Sequence, residues 1–375
     1  MKTRHLLCAS ATLAATAGAS AAETYRFSNW NAPGEPTVVA NQMFVDDLAE
    51  ATDGEISFDF FTAAAILPPA AHLAGVGDGV VQIGQATTGY TPSDLPLNAS
   101  VGGFGFIESN PTAIGLAYAD WIMHDSDALG EWESHNVIPL GAFSTPDYTL
   151  ICNTAEPITE LEQIRGLKIR SYGLIGGLVK DLGGVPVSMP SSEAYQALQT
   201  GALDCASLGA NFLVDANLAE VAKFSTLTRW TPAFNSPQMV LNKDFWQELT
   251  EEQRSLILTL GARTQARAHI LYNAAAEKAF ATSIEGGHTV VEPSESLQKA
   301  LEDWVAAGVG DMAGIARDTY GVADPEAVFA SFEPYVEKWG GLVRGMANPE
   351  DEEELTQLIL DNLYDDIDPA VYGMN

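Results

Sequence analysis

Twice along this chain, short apolar strands alternate with helix-prone stretches, and this repetition limits the fold more than any other feature. In the first cycle Tyr25–Ser28 reads as a strand, followed by the loop Asn29-Trp30-Asn31-Ala32-Pro33-Gly34. A helix follows with Val39, Met43 and Val45/Leu48 on one face, closed by Asp53-Gly54. Ile56–Phe60 alternates apolar and polar residues as a strand does, Ala70–Gly75 predicts a short helix, and Val80–Gly84 a short buried strand. The second cycle starts at Tyr148–Cys152 and runs through a helix over Ile158–Ile164, a strand over Leu167–Arg170 and a helix over Leu174–Leu182. It continues with a strand over Val185–Met189, a helix opened by Pro190-Ser191-Ser192-Glu193 and ended by Gly201, and a strand over Ala202–Cys205. Two α/β lobes are the expectation.

Met239–Asn242 is strand-like again, and Glu251–Ile284 is helix-prone without a proline. At 1.5 Å per residue such a helix is about 50 Å long, enough to pack across both lobes. Leu297–Tyr320 and Glu353–Leu363 are further helical candidates. With no internal repeat and no low-complexity linker, several chain crossings should join the lobes. The expected divisions are a signal peptide over 1–22, a first lobe over 23–146 and a second over 147–232. A return to the first lobe with the long helix occupies 233–290, and a mainly helical part 291–375.

The signal peptide is read from Met1-Lys2-Thr3-Arg4, the apolar, small-residue run Leu6–Ala17, and Ala19-Ser20-Ala21 before Ala22-Glu23, with cleavage near Ala21/Ala22. Export to the periplasm follows. The chain has 18 basic and 50 acidic residues, and removing Lys2 and Arg4 with the signal leaves 16 basic residues. Such a field repels nucleic acid and anionic membrane surfaces. Acid thickens at Asp351–Glu354 and Asp365-Asp366, which reads as solvated surface. Cys8 leaves with the signal, and Cys152 and Cys205 remain in a compartment where disulfides persist. They either pair or stand as two buried thiols.

No G-x-S-x-G elbow, H-E-x-x-H helix or phosphate loop is present in the sequence. Gly75-Val76-Gly77-Asp78-Gly79 lacks dinucleotide spacing and reads as a turn. His72, His124, His135, His269 and His288 are scattered singly, so no metal site is expected. No cofactor is expected either. Arg170 stands out, as an arginine at the end of a parallel strand in a cation-poor chain. That is where open α/β sheets bind ligands, and its fork can grip a carboxylate through two hydrogen bonds. From position alone a structural ion pair is the equal alternative.

Three spaced motifs carry a family resemblance: Gly166-Leu167-Lys168-Ile169-Arg170, then Leu182-Gly183 with Pro186-Val187 and Met189-Pro190, then Glu193-x-Tyr195-x-Ala197-Leu198-Gln199-x-Gly201-x-x-Asp204. Together with Gly89–Leu97 and Leu241–Trp246 they resemble the solute receptors of tripartite ATP-independent periplasmic (TRAP) transporters, the dicarboxylate-receptor-like family. The resemblance implies a two-lobed periplasmic binding protein fold with a long helix spanning both lobes. It also implies a small organic anion, such as a carboxylate, as ligand and the membrane subunits of a TRAP transporter as partners. The family's carboxylate-clamping arginine falls on Arg170.

The continuation after Asp204 departs from the family, reading Cys205-Ala206-Ser207-Leu208-Gly209-Ala210-Asn211-Phe212, so a second clamping group is left open, with Gly209, Asn211 and Phe212 as wall candidates. Thr149 stands where some members carry a second arginine, which favours a monocarboxylate over a sugar diacid. Trp30, Asn31, Tyr90, the Gly102–Phe106 turn, Phe234 and Asn235 are the other wall candidates, each equally readable as packing. In this reading Cys152 and Cys205 flank the ligand-facing edge of the second lobe. The competing functions are a signalling receptor that presents its ligand to a membrane sensor, and a secreted hydrolase or lyase.

Overall fold

The computed structural model describes residues 23–171 and 173–375, so the expected signal peptide lies outside the described residues. Among the described residues, eleven strands form two sheets. The first contains β1 (Glu23–Ser28), β2 (Ile56–Phe61), β3 (Ile83–Gly84), β4 (Val137–Phe143) and β10 (Ser236–Asn242) in the order β2-β1-β3-β10-β4. The second contains β5 (Thr149–Cys152), β6 (Lys168–Ser171), β7 (Val185–Ser188), β8 (Cys205–Leu208), β9 (Phe224–Thr226) and β11 (Thr289–Val291), in the order β11-β9-β5-β8-β6-β7. β6 runs parallel to both β7 and β8, whereas β5 is antiparallel to β8 and β9.

Each sheet anchors one lobe, and the chain crosses between them at 144–148 and again at 227–235. The two crossings hydrogen-bond to each other: Thr145 N–H donates to the Ala233 carbonyl at 2.9 Å, and Trp230 N–H to the Tyr148 carbonyl at 3.1 Å. Loop segments of this kind can absorb the backbone changes of a hinge, and the chain crosses again between β10 and β11.

The long helix, Glu251–Glu285, begins at a reciprocal cap in which Thr250 Oγ1 accepts from Gln253 N–H and Gln253 Oε1 from Thr250 N–H. It touches β4 in the first lobe and β11 in the second. Buried Arg267 ties it to Asp47 at 2.6 Å and Glu352 at 3.0 Å. Gly261 permits its approach to the sheet, since a Cβ there would stand 2.9 Å from Leu140. Among the described residues, no helix is long and apolar enough to cross a membrane.

Several local expectations need correction. The first helix, Pro36–Ala51, buries Val38, Phe44, Val45 and Leu48, while Val39 and Met43 are only half-buried. The segment from Val80 pairs only at Ile83–Gly84, because the Val80 and Val81 N–H groups turn back to the Gly75 carbonyl and finish the helix His72–Gly77. The last parallel strand of the second lobe is Cys205–Leu208 instead of 202–205, since Asp204 closes the preceding turn by accepting Lys168 N–H at 2.7 Å. The Ile158–Ile164 helix shrinks to a 3₁₀ turn over Leu161–Ile164, and the 297–320 stretch is two helices, Glu295–Gly310 and Met312–Tyr320.

Cys152 and Cys205 face each other across β5 and β8 and are joined, with Cα atoms 4.0 Å apart. The disulfide does not flank the ligand-facing edge. It sits where β8 begins, three residues before the end that reaches the cleft, or about 10 Å at strand rise. It packs in the second lobe's core with Leu150, Ile164 and Ile169.

Candidate functional site

β6 ends at the cleft because Gly173, with φ +54°, turns the chain into the helix Leu174–Asp181. This places Arg170 at the carboxyl end of a strand flanked on both sides by parallel neighbours, with its side chain only 1% exposed. The guanidinium is held by Nε to the Met189 carbonyl at 3.0 Å and by Nη1 to the Ser207 carbonyl at 3.1 Å. Nη2 donates to the Tyr90 hydroxyl, on the opposite lobe, at 3.3 Å. Ser191 N–H donates to the same hydroxyl at 3.3 Å.

Tyr90 and Ser191 line a cavity between the lobes, together with Trp30, Asn31, Glu35, Phe143, Thr145, Tyr148, Phe212 and Tyr272. It leaves about 40 Å³ in which a water molecule's centre can move, room for a few waters. Its apolar wall is built from ring contacts: Trp30 meets Tyr90 edge-on at 5.3 Å, and Phe143 stacks on Tyr272 at 5.5 Å. Trp30 is oriented by its Nε1–H bond to the Gln85 carbonyl at 3.2 Å. A larger interlobe cavity, about 230 Å³, runs past Gly102, Phe106, Asn235 and Tyr320 and has no charged side chain on its wall. The smaller one therefore has the chemistry to hold an ion.

Sequence reasoning missed Glu35, which is 2% exposed and lines the smaller cavity. It caps the first helix in the position where Ser, Thr, Asp or Asn is usual, and that departure was the available signal. One carboxylate oxygen accepts Ala32 N–H at 3.0 Å, and the other has no partner among the described residues. Burial pushes its carboxyl up to about 8, the Ala32 N–H opposes this, and the charge of Asp215 adds to the rise. Asp215 is itself raised by burial, against a bond from Asn211 Nδ2 at 3.1 Å.

Of the wall candidates, the structure brings Trp30, Asn31, Tyr90 and Phe212 around the one cavity, with Arg170 directly behind Tyr90. Asn211 is fully buried beside them, and Gly209 is fixed by it, since a Cβ at Gly209 would stand 2.6 Å from Asn211 Oδ1. Phe234 is not on the wall. It lies in the first lobe's core, stacked on Phe332 at 6.2 Å, because the ring turns to the face of the chain away from the cleft. Asn235 lines the larger cavity, and its carbonyl accepts from Thr88 Oγ1 at 2.7 Å. In the Gly102–Phe106 turn, Phe104 joins the core and Phe106 packs on Trp304. The Thr149 hydroxyl is turned inward, to the Thr226 carbonyl.

The remaining polar centres read as structural. His72 bonds Ser28 Oγ at 3.1 Å and the Pro68 carbonyl at 3.1 Å, and burial lowers it to about 4, so it is neutral at physiological pH. Among the described residues, no three His, Cys, Asp or Glu side chains are grouped to hold a metal ion.

Two α/β lobes, a paired hinge, a spanning helix and a cleft with a buried arginine behind its wall define the class of two-lobed solute-binding receptors. The chain belongs to the bacterial extracellular solute-binding protein family 7, whose sequence profile matches residues 27–313. A solute-binding protein of Albidiferax ferrireducens is 23% identical over 235 residues, 59% of this chain and 65% of that protein. The chain thus spans somewhat under two thirds of that relative's length.

Two solved structures share the fold. A TRAP periplasmic solute-binding protein from Chromohalobacter salexigens with bound D-glucuronate superposes with a TM-score of 0.71 at 20% identity, covering 83% of this chain and 99% of that one. One from Bordetella bronchiseptica with bound mandelate does so with a TM-score of 0.70 at 22% identity, covering 84% and 99%.

Proposed function

We propose that this protein is an exported receptor that closes its two lobes on a small organic carboxylate and hands it to the membrane subunits of a TRAP transporter. The observation that carries this reading is Arg170, a buried guanidinium at the carboxyl end of β6, bonded across the cleft to a hydroxyl on the cavity wall. A ligand carboxylate at that edge would receive charge-assisted hydrogen bonds in a site closed to water, where they are strongest. The ligands bound in the two similar structures, D-glucuronate and mandelate, are both carboxylates. The aromatic wall supplies apolar contact for the ligand body, and no bond in the ligand changes. Delivery to a transporter, export and release of the signal peptide belong to the same reading, supported by family membership and the N-terminal sequence.

The test is thermal unfolding of refolded, ligand-stripped protein against a panel of small carboxylates, in wild type and Arg170→Ala. A ligand that binds only the folded form raises the melting temperature. A rise in wild type that is absent in the variant supports the site. A rise of equal size in both would remove Arg170 from it.

A further inference from the structure

Three facts about the first-lobe wall converge. Glu35 and Asn31, each 2% exposed, are the lining residues that present side-chain atoms without a hydrogen-bond partner among the described residues. Asn31 Oδ1 is an acceptor, and Glu35 Oε2 is one once its carboxyl is ionised, as a neighbouring ligand cation would make it. The Asn31 amide is oriented by its Nδ2, which donates to Thr37 Oγ1 at 3.1 Å and Gln85 Oε1 at 3.3 Å. Buried acceptors left unmet are costly, so the occupant of this cavity must bring donors.

The electrostatics give those donors a sign. Glu35 stands on the first lobe and Asp215 on the second, at the end of the helix Phe212–Asp215 that also supplies Phe212 to the wall. The charge of Asp215 is felt at Glu35 and adds to the rise that burial causes there. Two carboxyl groups brought toward each other by closure disfavour the closed state unless a proton or a cation stands between them. A ligand cation would do so only when the lobes meet, which couples its capture to closure.

We infer that the ligand is a zwitterion, with a carboxylate held at Arg170 and an N–H cation, ammonium or amidinium in type, held by Glu35 Oε2 and Asn31 Oδ1. This rests on the receptor reading of Arg170 and narrows it from organic anions to molecules of no net charge. Plain hydroxy acids fit the same space but bring no cation to the acidic wall.

The experiment is calorimetric titration of ligand-stripped protein, in buffer containing EDTA, with pairs matched in skeleton. The pairs are L-proline and tetrahydrofuran-2-carboxylate, γ-aminobutyrate and γ-hydroxybutyrate, and 5-aminovalerate and 5-hydroxyvalerate. The nitrogen member of at least one pair should bind about tenfold or more tighter than its oxygen counterpart, as one charge-assisted bond implies. Glu35→Gln, which keeps the shape, should shrink that preference to within about threefold by removing the charge. Oxygen members binding as well as nitrogen members overturn the inference, and so does a preference that survives Glu35→Gln. If only oxygen members bind, and lose binding in Arg170→Ala, the receptor reading stands and the zwitterion falls. If neither series binds the wild-type protein, both fall together.

Discussion

Arg170 of the second lobe donates to the Tyr90 hydroxyl of the first at 3.3 Å, so one hydrogen bond both spans the cleft and closes one side of the cavity. The Tyr90 oxygen also accepts Ser191 N–H, from the turn that follows β7. A first-lobe hydroxyl is thus seated among second-lobe donors when the lobes are together. A carboxylate that takes the place of the Tyr90 hydroxyl would meet donors already held by the fold, which lowers the ordering cost of binding.

Arg170→Lys tests how far that aim depends on the planar fork. Three nitrogens of the guanidinium reach three separate acceptors, Met189 O, Ser207 O and Tyr90 Oη, and a single ammonium cannot span them. Carboxylate affinity should fall about a hundredfold, and the unliganded protein should lose about 1–3 kcal/mol as buried carbonyls go unmet. Calorimetry and urea unfolding measure the two effects. Near-normal affinity in this variant would mean that charge alone, without the fork, holds the ligand.

Tyr90→Phe tests how far closure depends on that hydroxyl. It removes the oxygen that joins the lobes but leaves the ring that meets Trp30. The liganded variant should close less fully, seen in X-ray scattering as a radius of gyration between those of unliganded and liganded wild type, and ligand affinity should fall about tenfold. A liganded radius equal to that of wild type would show that the ligand and the hinge, and not this bond, set the closed form.

The disulfide should matter to the fold and not to the site. Cys152 and Cys205 are 53 residues apart, and cross-linking a loop of that length restrains the unfolded chain by about 4 kcal/mol in the entropic account. Replacing both with alanine should cost about 2–4 kcal/mol and leave ligand affinity within about twofold, since the bridge lies at the far end of β8 from Arg170's contact with Ser207. An affinity loss as large as that of Arg170→Lys would place the disulfide in the ligand-facing framework after all.

What could be read from the chain followed from local periodicity and from the chemistry of rare residues. The alternation of strands and helices gave the two α/β lobes, and the proline-free run gave the long helix within one residue of its observed end, Glu285. Arg170 was legible because cations are scarce and a strand precedes it. The helix Pro111–His124 was not, because it is buried on nearly every face and so lacks the amphipathic stripe that marks a surface helix, and in Pro325–Arg344 the stripe of Phe332, Val336, Trp339 and Val343 is masked by Pro334, which argues against a helix. Glu35 was hidden for another reason. Among 50 acidic residues, one more in a loop reads as solvated, and only tertiary packing by Tyr272, Trp30 and Phe143 takes it out of water.

Glu35 also makes a prediction about pH in the ligand-stripped protein. Its carboxyl is raised by burial from 4.5 in the unfolded chain to about 8 in the folded one, so between those values the folded state binds more protons. Its contribution to stability is full below about 4.5 and is lost as pH rises through about 8. His72 and His269, lowered by burial to about 4, act oppositely, losing stability as pH falls from about 6.5, but they are present in both proteins and cancel in a difference. The stability of wild type minus that of Glu35→Gln should therefore decline from pH 5 to 8, by about 1.4 kcal/mol per pH unit at most, and level off above. Urea unfolding at half-unit intervals checks it. A difference that stays flat across this window would show Glu35 ionised throughout, a permanent negative charge on the cavity wall that a cation would meet without displacing a proton.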